Sequence, residues 1–299
     1  MNEILSVSGL TKHYGSIQAI SDLELQIEHG QVFGILGPNG SGKTTTLSII
    51  TGIIHANSGS YQWFGRDPSP ESLQKIGSLV EIPYFYPYLS LLQNLKIIAT
   101  IKNIPEEDIG RVLGLTNLLS RKHSKFSTLS LGMKQRLGIS AAMLGNPEVL
   151  VLDEPTNGLD PEGFAEVREL ILQEARNGKT IILASHILDE VEKVCSHVAV
   201  LKQGKVIARG KVHELLAGDD VVRVTTEKPE ALKDLLVREG WTKTITKENG
   251  DLVITLTDDK SPRDLNAFAF EKGHVLDKIQ VSKHSLESQF LELVKNNTH

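Results

Sequence analysis

The chain has 299 residues, of which 40% are hydrophobic and 23% are charged, and its net charge is −5. These values suit a soluble globular protein, and the length predicts about two domains. Because neither residues 1–217 nor residues 218–299 are basic, the charge pattern of a nucleic-acid-binding protein is missing and no nucleic-acid partner is expected. The single cysteine, Cys195, cannot form an internal disulfide, which fits a reducing compartment, and its apolar neighbours predict a buried core residue. No signal peptide is expected, and no stretch reaches the roughly 18 apolar residues that span a bilayer.

The first part of the chain predicts two half-buried strands. Apolar and polar residues alternate over Ile4–Leu10 and again over Ala19–Ile27. Tyr14 lies in the loop between these strands, and the pattern alone favours a half-buried turn residue at this position.

A glycine-rich motif lies between an apolar run, Val32–Leu36, and a predicted helix, Thr45–Thr51. It fits G-x-x-x-x-G-K-[ST], in which glycines let backbone N–H groups surround a phosphate at a helix N-terminus. Lys43 can reach the β- and γ-phosphates, and the Thr44 hydroxyl can ligate Mg²⁺. The motif therefore predicts a nucleoside triphosphate site. Its binding residues are Gly37, Pro38, Asn39, Gly40, Ser41, Gly42, Lys43, Thr44 and Thr45.

The segment after this site changes from strands to helices. Ile76–Ile82 predicts a short strand with Glu81 near its end, and Ser90–Lys102 and Asp108–Leu119 predict helices. Between them, Pro83–Leu89 contains four aromatic residues and two prolines, which exclude a regular helix or a central strand. This aromatic cluster is either local core or a docking surface for a partner, and the sequence favours neither.

Two further apolar runs predict parallel strands that end in candidate catalytic residues. Val149–Leu152 is followed by Asp153 and Glu154, and Thr180–Ala184 is followed by Ser185 and His186. A near-continuous apolar run is typical of a parallel strand that is covered on both faces. Ligands of such sheets bind at the carboxyl ends of the strands, where one acid can hold Mg²⁺ and the other can accept a proton from water. The alternation of strands and helices predicts an α/β fold.

Residues 3–217 resemble the nucleotide-binding subunit of an ABC transporter, because all of that family's diagnostic elements appear in the family's order. The resemblance implies a P-loop NTPase fold with a helical subdomain at about residues 83–145. The matching elements are the Walker A loop (Gly37–Thr44), the signature motif (Leu129–Gln135), the Walker B strand (Val149–Glu154), the D-loop (Asn157–Asp160), the switch histidine (His186) and the adenine-stacking aromatic (Tyr14).

The sequence departs from the family's pattern at two motifs. In the signature motif, Leu131 replaces a glycine and Met133 replaces a glutamine, while Ser130 and Gly132 are kept. At the Q-loop position Glu81 replaces a glutamine, and a carboxylate can accept a water or Mg²⁺ contact but cannot donate as an amide does. Both departures resemble a subgroup of exporter ATPases related to bacitracin and lantibiotic self-protection transporters.

The resemblance implies an ATPase that uses ATP and Mg²⁺. Glu154 would be the general base toward the attacking water, His186 would orient the γ-phosphate, and Lys43 would bind the phosphates. Mg²⁺ would be held by Thr44 and Asp153. The other nucleotide contacts implied are Tyr14, Glu81 and Asp160, with Ser130 and Gly132 supplied by a second subunit.

The resemblance also implies a homodimer, or a pair of ABC ATPases, that docks on a separately encoded membrane permease. Such a subunit is cytoplasmic and peripheral on the inner face of the cell membrane. Closure of the dimer on ATP would drive the permease through the region around Glu81 and Tyr84–Tyr88. The alternative is a soluble ABC ATPase with a mechanical or regulatory role outside transport. The single cassette and the short insertion between Gly52 and Leu129 argue against it.

Residues 218–299 predict a separate C-terminal domain. Their order of elements, βαββαβ, suggests a small α+β unit of the ferredoxin-like kind, followed by an amphipathic helix at Leu286–Val294. A small-molecule sensor and a structural or dimer-supporting appendage are both compatible with this order. The absence of a cluster of ligand-type residues from the sequence pattern favours the appendage.

Overall fold

The computed structural model describes residues 3–81, 84–215 and 221–282, which fold into two compact units. The first unit extends to Val212 and the second begins at His213. The boundary predicted between residues 217 and 218 stays a prediction, because residues 216–220 lie outside the described ranges. No helix within those ranges is both long and apolar enough to cross a bilayer.

The first unit is a mixed α/β structure. Its strands are β1 (Glu3–Tyr14), β2 (Ile17–Glu28), β3 (Val32–Leu36), β4 (Ser58–Trp63), β5 (Ile76–Leu79), β6 (Val149–Asp153), β7 (Thr180–Ser185), β8 (His197–Lys202) and β9 (Lys205–Lys211). Its helices are α1 (Lys43–Ile50), α2 (Pro70–Gln74), α3 (Leu91–Ile101), α4 (Glu107–Leu115), α5 (Leu131–Met143), α6 (Pro161–Arg176) and α7 (Leu188–Val194), and a short helix, α8 (Val212–Leu215), begins at its last residue.

The central sheet brings the predicted catalytic segments to one edge. Its strand order is β5–β6–β7–β3–β8–β9, with all neighbours parallel except β8 and β9. Every residue of β3, β6 and β7 is buried, as the apolar runs predict for strands covered on both faces. Leu36 pairs with Ser185, and Asp153 pairs with Ala184. The phosphate loop, Glu154 and His186 therefore all follow the carboxyl ends of neighbouring strands.

A smaller antiparallel sheet, in the order β2–β1–β4, packs with the central sheet around a shared apolar core. Strands β1 and β2 are longer than the alternating runs from which they were predicted. Tyr14 is the last residue of β1 rather than a loop residue. Trp63 is fully buried and its indole Nε1 donates a hydrogen bond to Ile50 O at 2.7 Å, which fixes β4 to the end of α1.

Helices α3, α4 and α5 contact one another in the segment between β5 and β6. Helix α3 begins with a capping box, in which the side chains of Ser90 and Gln93 each bond to the other residue's backbone. Two predicted elements are shorter in the structure. The strand from Ile76 ends at Leu79, and α4 ends at Leu115 because the chain then enters a turn in which Asn117 has a φ of +56°.

The second unit is a four-stranded antiparallel sheet with two helices. Its elements are β10 (Val221–Thr225), α9 (Pro229–Arg238), β11 (Thr242–Glu248), β12 (Asp251–Leu256), α10 (Pro262–Glu271) and β13 (Lys278–Ser282). The strand order is β11–β12–β10–β13, the arrangement of a ferredoxin-like βαββαβ unit. Its core joins alternate strand residues, such as Val222 and Val224, to helix residues such as Leu232. The predicted helix at Leu286–Val294 lies outside the described residues.

Candidate active site

The phosphate loop joins β3 to α1, and its backbone needs glycine at two positions. Gly37 and Gly42 have φ values of +155° and +105°. A Cβ on Gly37 would lie 2.4 Å from Leu201 O, and one on Gly42 would lie 2.6 Å from Ala19 O. Any larger residue would therefore push the loop away from its neighbouring strands. The tip of the loop, residues 38–40, is exposed, while residues 41–43 are buried.

Lys43 is buried at the base of this loop, with 5% of its surface exposed. Its Nζ donates hydrogen bonds to Gly37 O at 2.8 Å and Pro38 O at 3.3 Å, and lies 3.4 Å from Glu154 Oε1. The ammonium group is thus held across the loop by two carbonyls and one carboxylate. A phosphate that entered the loop would find a pre-positioned cation at the N-terminus of α1.

Glu154 is held between two of the other predicted catalytic residues. Its Oε2 lies 2.9 Å from His186 Nδ1, while its Oε1 faces Lys43. Its backbone is left-handed, with φ +45°, and its N–H donates to Ala184 O at 2.9 Å. A non-glycine residue in this conformation is unusual, and such backbones cluster at functional sites. The turn directs the carboxylate into the site instead of along the strand.

Asp153 is a buried carboxylate beside Thr44. Burial raises its pKa above the ordinary value, and the Glu154 carboxylate adds to that rise; the Thr44 hydroxyl, the Lys43 ammonium and the backbone N–H of Glu81 oppose it. Its Oδ1 is buried and accepts no hydrogen bond from any described residue. A buried carboxylate oxygen that accepts no hydrogen bond and lies next to a hydroxyl suits a hard divalent cation such as Mg²⁺.

The other metal-type ligands are sparse. No group of three or more His, Cys, Asp or Glu side chains within the described ranges is arranged to hold a metal ion. This fits Mg²⁺, which protein sites usually hold through one or two side chains together with phosphate oxygens and water. Thr44 and Asp153 therefore fit the role that the sequence predicts for them, provided that the nucleotide supplies the remaining ligands.

An open cavity of about 860 Å³ leads away from this centre. Thr44, Asp153 and Glu154 line one part of it, and Glu81 lines its wall. Its other lining residues include Tyr84, Phe85 and Phe126. The rings of Phe85 and Phe126 lie 5.2 Å apart, whereas Tyr84 is 97% exposed. Glu81 itself has a φ of +62°, so the chain turns sharply between the catalytic centre and the aromatic residues.

Three predicted nucleotide contacts lie apart from the phosphate loop. Ser130 is the N-cap of α5 and Asp160 is the N-cap of α6, and each accepts a hydrogen bond from the backbone three residues later. With Gly132 they line a second cavity of about 360 Å³, in which no phosphate-loop residue takes part. The first turn of α5 contains no acidic residue, so its N-terminus favours an anion, whereas the N-terminus of α6 already carries Asp160 and Glu162.

Leu131 connects the two cavities, since it lines both of them. Its side chain lies over the D-loop: a Cβ on Gly158 would be only 2.7 Å from Leu131 Cδ2. The leucine that replaces the family's glycine therefore packs on the neighbouring loop, although 57% of its surface remains exposed.

Tyr14 lies at the end of the β1–β2 hairpin, and β2 passes the phosphate loop at Ala19. The ring is 50% exposed and Lys12 Nζ lies 5.3 Å from its centroid. The exposed aromatic surface suits stacking on a nucleotide base.

Sequence reasoning missed two contacts of the catalytic loop. Gln135 Nε2 donates to Glu154 O at 3.3 Å, and the Thr156 hydroxyl donates to the Glu190 carboxylate. Glu190 is buried on α7, one turn after His186, and burial raises its pKa. Gln135 belongs to the predicted signature motif, but the sequence does not indicate that its side chain contacts Glu154. Nothing in the sequence pattern indicates that Glu190 faces Thr156.

Comparison with known proteins identifies the family. The ABC transporter family model matches residues 20–157. The bacitracin transport ATP-binding protein BcrA of Bacillus licheniformis is 35% identical over 100% of this chain and 99% of its own length. The lantibiotic transport ATP-binding protein SrtF of Streptococcus pyogenes is 41% identical over 68% of this chain and 89% of its own length. The solved structure of cbiO1 from Clostridium perfringens, part of the ABC transporter complex cbiONQ, is 30% identical with a TM-score of 0.65, covering 80% of this chain and 96% of that one.

The fold is that of an ABC ATPase, a class of P-loop NTPase, and the chain belongs to the ABC transporter family. It is an ATP-binding and ATP-hydrolysing subunit of an ABC transporter. The sequence-based predictions of family, fold class and enzymatic activity are confirmed, and the alternative of a soluble ATPase outside transport is not favoured. ABC ATP-binding subunits work with a membrane permease.

Proposed function

We propose that this chain powers an exporter by hydrolysing ATP in two composite sites of a homodimer. The observation that carries the proposal is the contact of Glu154 with both Lys43 and His186 at the carboxyl end of β6. The likeness to a bacitracin transport and a lantibiotic transport protein supports export as the direction of transport.

Within one chain, the proposed chemistry is mainly positioning and charge stabilisation. Lys43 binds the phosphates, and Thr44 and Asp153 hold Mg²⁺, which when bound neutralises phosphate charge. Glu154 accepts a proton from the attacking water, and His186 both holds the Glu154 carboxylate at 2.9 Å and orients the γ-phosphate.

The site is incomplete in a single chain, which supports the dimer. Ser130, Gly132 and Asp160 line a cavity of their own and make no contact with Lys43 in the described structure. In a head-to-tail dimer, Ser130 and Gly132 of one subunit complete the phosphate loop of the other. The signature residues then bind phosphate in trans, at the N-terminus of α5.

Mixing two inactive variants tests the composite site. Lys43→Ala removes the phosphate cation, and Gly132→Asp puts a carboxylate where a phosphate binds. A Cβ on Gly132 would meet Leu159 at 3.5 Å, an ordinary contact, so the variant fits the fold. In a mixed dimer, one site contains neither substitution. We expect each variant alone to be inactive and an equal mixture to recover up to roughly a quarter of wild-type ATPase activity, because half of randomly paired dimers hold one intact site. A mixture as inactive as its components would count against the proposal.

We further propose that the dimer docks on its permease through the region around Glu81 and Tyr84–Tyr88, which places it at the inner face of the cell membrane. The support is the cavity that joins Glu81 to Tyr84 and Phe85, because a segment bound there would lie next to the catalytic centre. We expect Phe85→Ala and Tyr86→Ala to abolish co-purification with the permease and transport while ATP binding persists. If both variants co-purify and transport normally, this docking site is wrong.

For the C-terminal domain, proposed to start near residue 218, we infer a structural or dimer-supporting role. Its described residues form a closed core around Val222 and Leu232, and the sheet has no cluster of metal-type ligands. Deletion of this domain is expected to weaken ATP-dependent dimerisation without removing ATP binding to the first unit.

A further inference from the structure

The segment that contains α3, α4 and α5 has a charge opposite to that of the chain as a whole. Residues 82–147 contain eight Lys and Arg but only three Asp and Glu, a net charge of +5, whereas the whole chain carries −5. All three acids, Glu106, Glu107 and Asp108, are consecutive. Two of them are paired within the segment, Glu106 with Lys96 and Asp108 with an arginine three residues later. The other Lys and Arg residues of the segment have no acidic residue beside them in the sequence.

Three of these Lys and Arg residues, together with His123, lie close to one another in the chain, on a segment that runs back along the start of α3 to the aromatic run. Residues 121–127 run alongside residues 87–92, joined by backbone hydrogen bonds such as Leu92 N to Lys122 O at 2.9 Å and Phe126 N to Leu89 O at 2.9 Å. Exposure alternates along residues 121–126. Arg121, His123 and Lys125 are the exposed members of that alternation and Lys122 is half-buried.

The aromatic run is divided by its packing. Phe85 packs on Phe126 inside the cavity described above. Tyr86 and Tyr88 instead form a ring pair at 5.9 Å whose members are 51% and 66% exposed. We name the surface formed by Tyr86, Tyr88, Arg121, Lys122, His123 and Lys125 the basic–aromatic face. Within the described residues, none of Arg121, Lys122 and Lys125 forms an ion pair.

We propose that the basic–aromatic face binds the anionic phospholipid head groups of the membrane. Tyrosine is amphipathic and suits the boundary between lipid and water, and lysine and arginine near it are attracted to anionic lipid. The residues of the basic–aromatic face lie outside the lining of the cavity that contains Phe85 and Phe126. A bilayer needs only exposed charge and exposed tyrosine, which is what the face offers.

This contact goes beyond attachment through a permease, since the subunit would touch the lipid directly. It rests on the proposed function only in placing the chain at the inner face of the membrane. The test therefore uses the full chain with protein-free vesicles. Tyr86 and Tyr88 also belong to the proposed docking region Tyr84–Tyr88, so the decisive substitutions are made at Arg121 and Lys125, which lie outside that region. Failure of one proposal therefore leaves the other standing.

The experiment measures co-flotation of the chain with vesicles of phosphatidylcholine alone, or of an equal mixture of phosphatidylcholine and phosphatidylglycerol. The test variant is Arg121→Gln with Lys125→Gln. The matched control is Lys205→Gln with Arg209→Gln, which removes the same charge from two exposed residues of β9. Unchanged ATP binding in both variants shows that the fold is intact.

We expect wild-type protein to bind the anionic vesicles and to be released by high salt, because the contact is electrostatic. At about fivefold per cation, the test variant should lower the partition coefficient roughly 25-fold, and the control less than about twofold. Replacing Tyr86 and Tyr88 by serine should also weaken binding. Equal binding to both vesicle types, or an equal loss in the control, overturns the proposal. The proposal is also overturned if the wild type does not bind vesicles and the test variant no longer co-purifies with the permease. That result would assign the face to an acidic protein segment.

Discussion

Replacing Glu154 by glutamine separates nucleotide binding from hydrolysis. The substitution keeps the size of the side chain and removes the proton-accepting carboxylate. In the structure that carboxylate lies 3.4 Å from Lys43 Nζ and 2.9 Å from His186 Nδ1. An amide at this position keeps an oxygen for Lys43 Nζ and turns its NH2 group toward His186 Nδ1, which accepts in the tautomer protonated at Nε2, so the arrangement of the site should persist.

The expected loss in kcat is large. A positioned general base contributes about 10²–10⁴-fold to the rate, which corresponds to about 3–5 kcal/mol of activation free energy. The effect on ATP affinity has the opposite sign. At 3.4 Å and an effective dielectric constant of about 20, Glu154 attracts Lys43 with a gross energy of about 5 kcal/mol. That attraction competes with phosphate for the ammonium group. Its removal should leave the Kd for ATP unchanged or lower.

The assay combines steady-state phosphate release at saturating Mg²⁺-ATP with equilibrium binding of nucleotide. Glu148→Gln is the matched control, because Glu148 immediately precedes β6 at the opposite end from Glu154 and forms only an exposed pair with Lys75. We expect the control to hydrolyse ATP at the wild-type rate. Near-wild-type turnover of Glu154→Gln, or a loss of activity explained by weaker ATP binding, would refute the assigned role.

Three further substitutions test the packing around the site. Gly77→Ala should destabilise the protein by about 1–3 kcal/mol in thermal unfolding, because the added Cβ would lie 1.9 Å from a backbone carbonyl of α5. The control is Gly110→Ala in α4, which should not destabilise the protein because the space around Gly110 is open. Glu190→Gln keeps an acceptor for the neighbouring threonine and removes a buried charge. Because burial raises the folded-state pKa of Glu190, its ionisation costs stability at neutral pH, so the variant should melt higher at pH 7. The difference should close as the pH falls toward the unfolded value of about 4.3. An unchanged gap at low pH would refute this. Leu131→Gly should make the D-loop around Gly158 more mobile, which would be measured as faster amide hydrogen exchange at Gly158. Unchanged exchange would show that Leu131 does not restrain this loop.

The parts of the site that could be predicted are those encoded by contiguous residues. Each of these parts follows an apolar run that predicts a buried parallel strand. The parts are the phosphate loop after β3, the two acids at the end of β6 and the histidine after β7. The chain order of such runs places their carboxyl ends at one edge. The βαββαβ order of the second unit was readable for the same reason, since each of its elements is set by local alternation or helical periodicity.

The contacts that could not be predicted join residues far apart in the chain. Nothing around Gly77 indicates that α5 passes so close that only glycine fits, and nothing around Glu190 indicates a threonine partner. The aromatic run posed the same difficulty. The structure divides its members, because Phe85 packs on Phe126 while Tyr86 and Tyr88 stay exposed, and docking of a partner there stays a prediction. Packing between distant segments decides such cases, and local patterns do not contain it.

One of those unpredicted contacts links the two halves of the proposed composite site. Ser130, the N-cap of α5, would bind the partner's nucleotide in the proposed dimer. Little more than one turn later, Gln135 of the same helix donates to the backbone carbonyl of Glu154. The helix contacts the catalytic loop of its own chain, and in the proposed dimer it would also contact the partner's nucleotide. A shift of α5 on dimer closure would be transmitted directly to Glu154, whose left-handed backbone at φ +45° is sensitive to the positions of its neighbours. In the proposed dimer, a single helix of the first unit would thus connect the catalytic loop of one site with the nucleotide of the other.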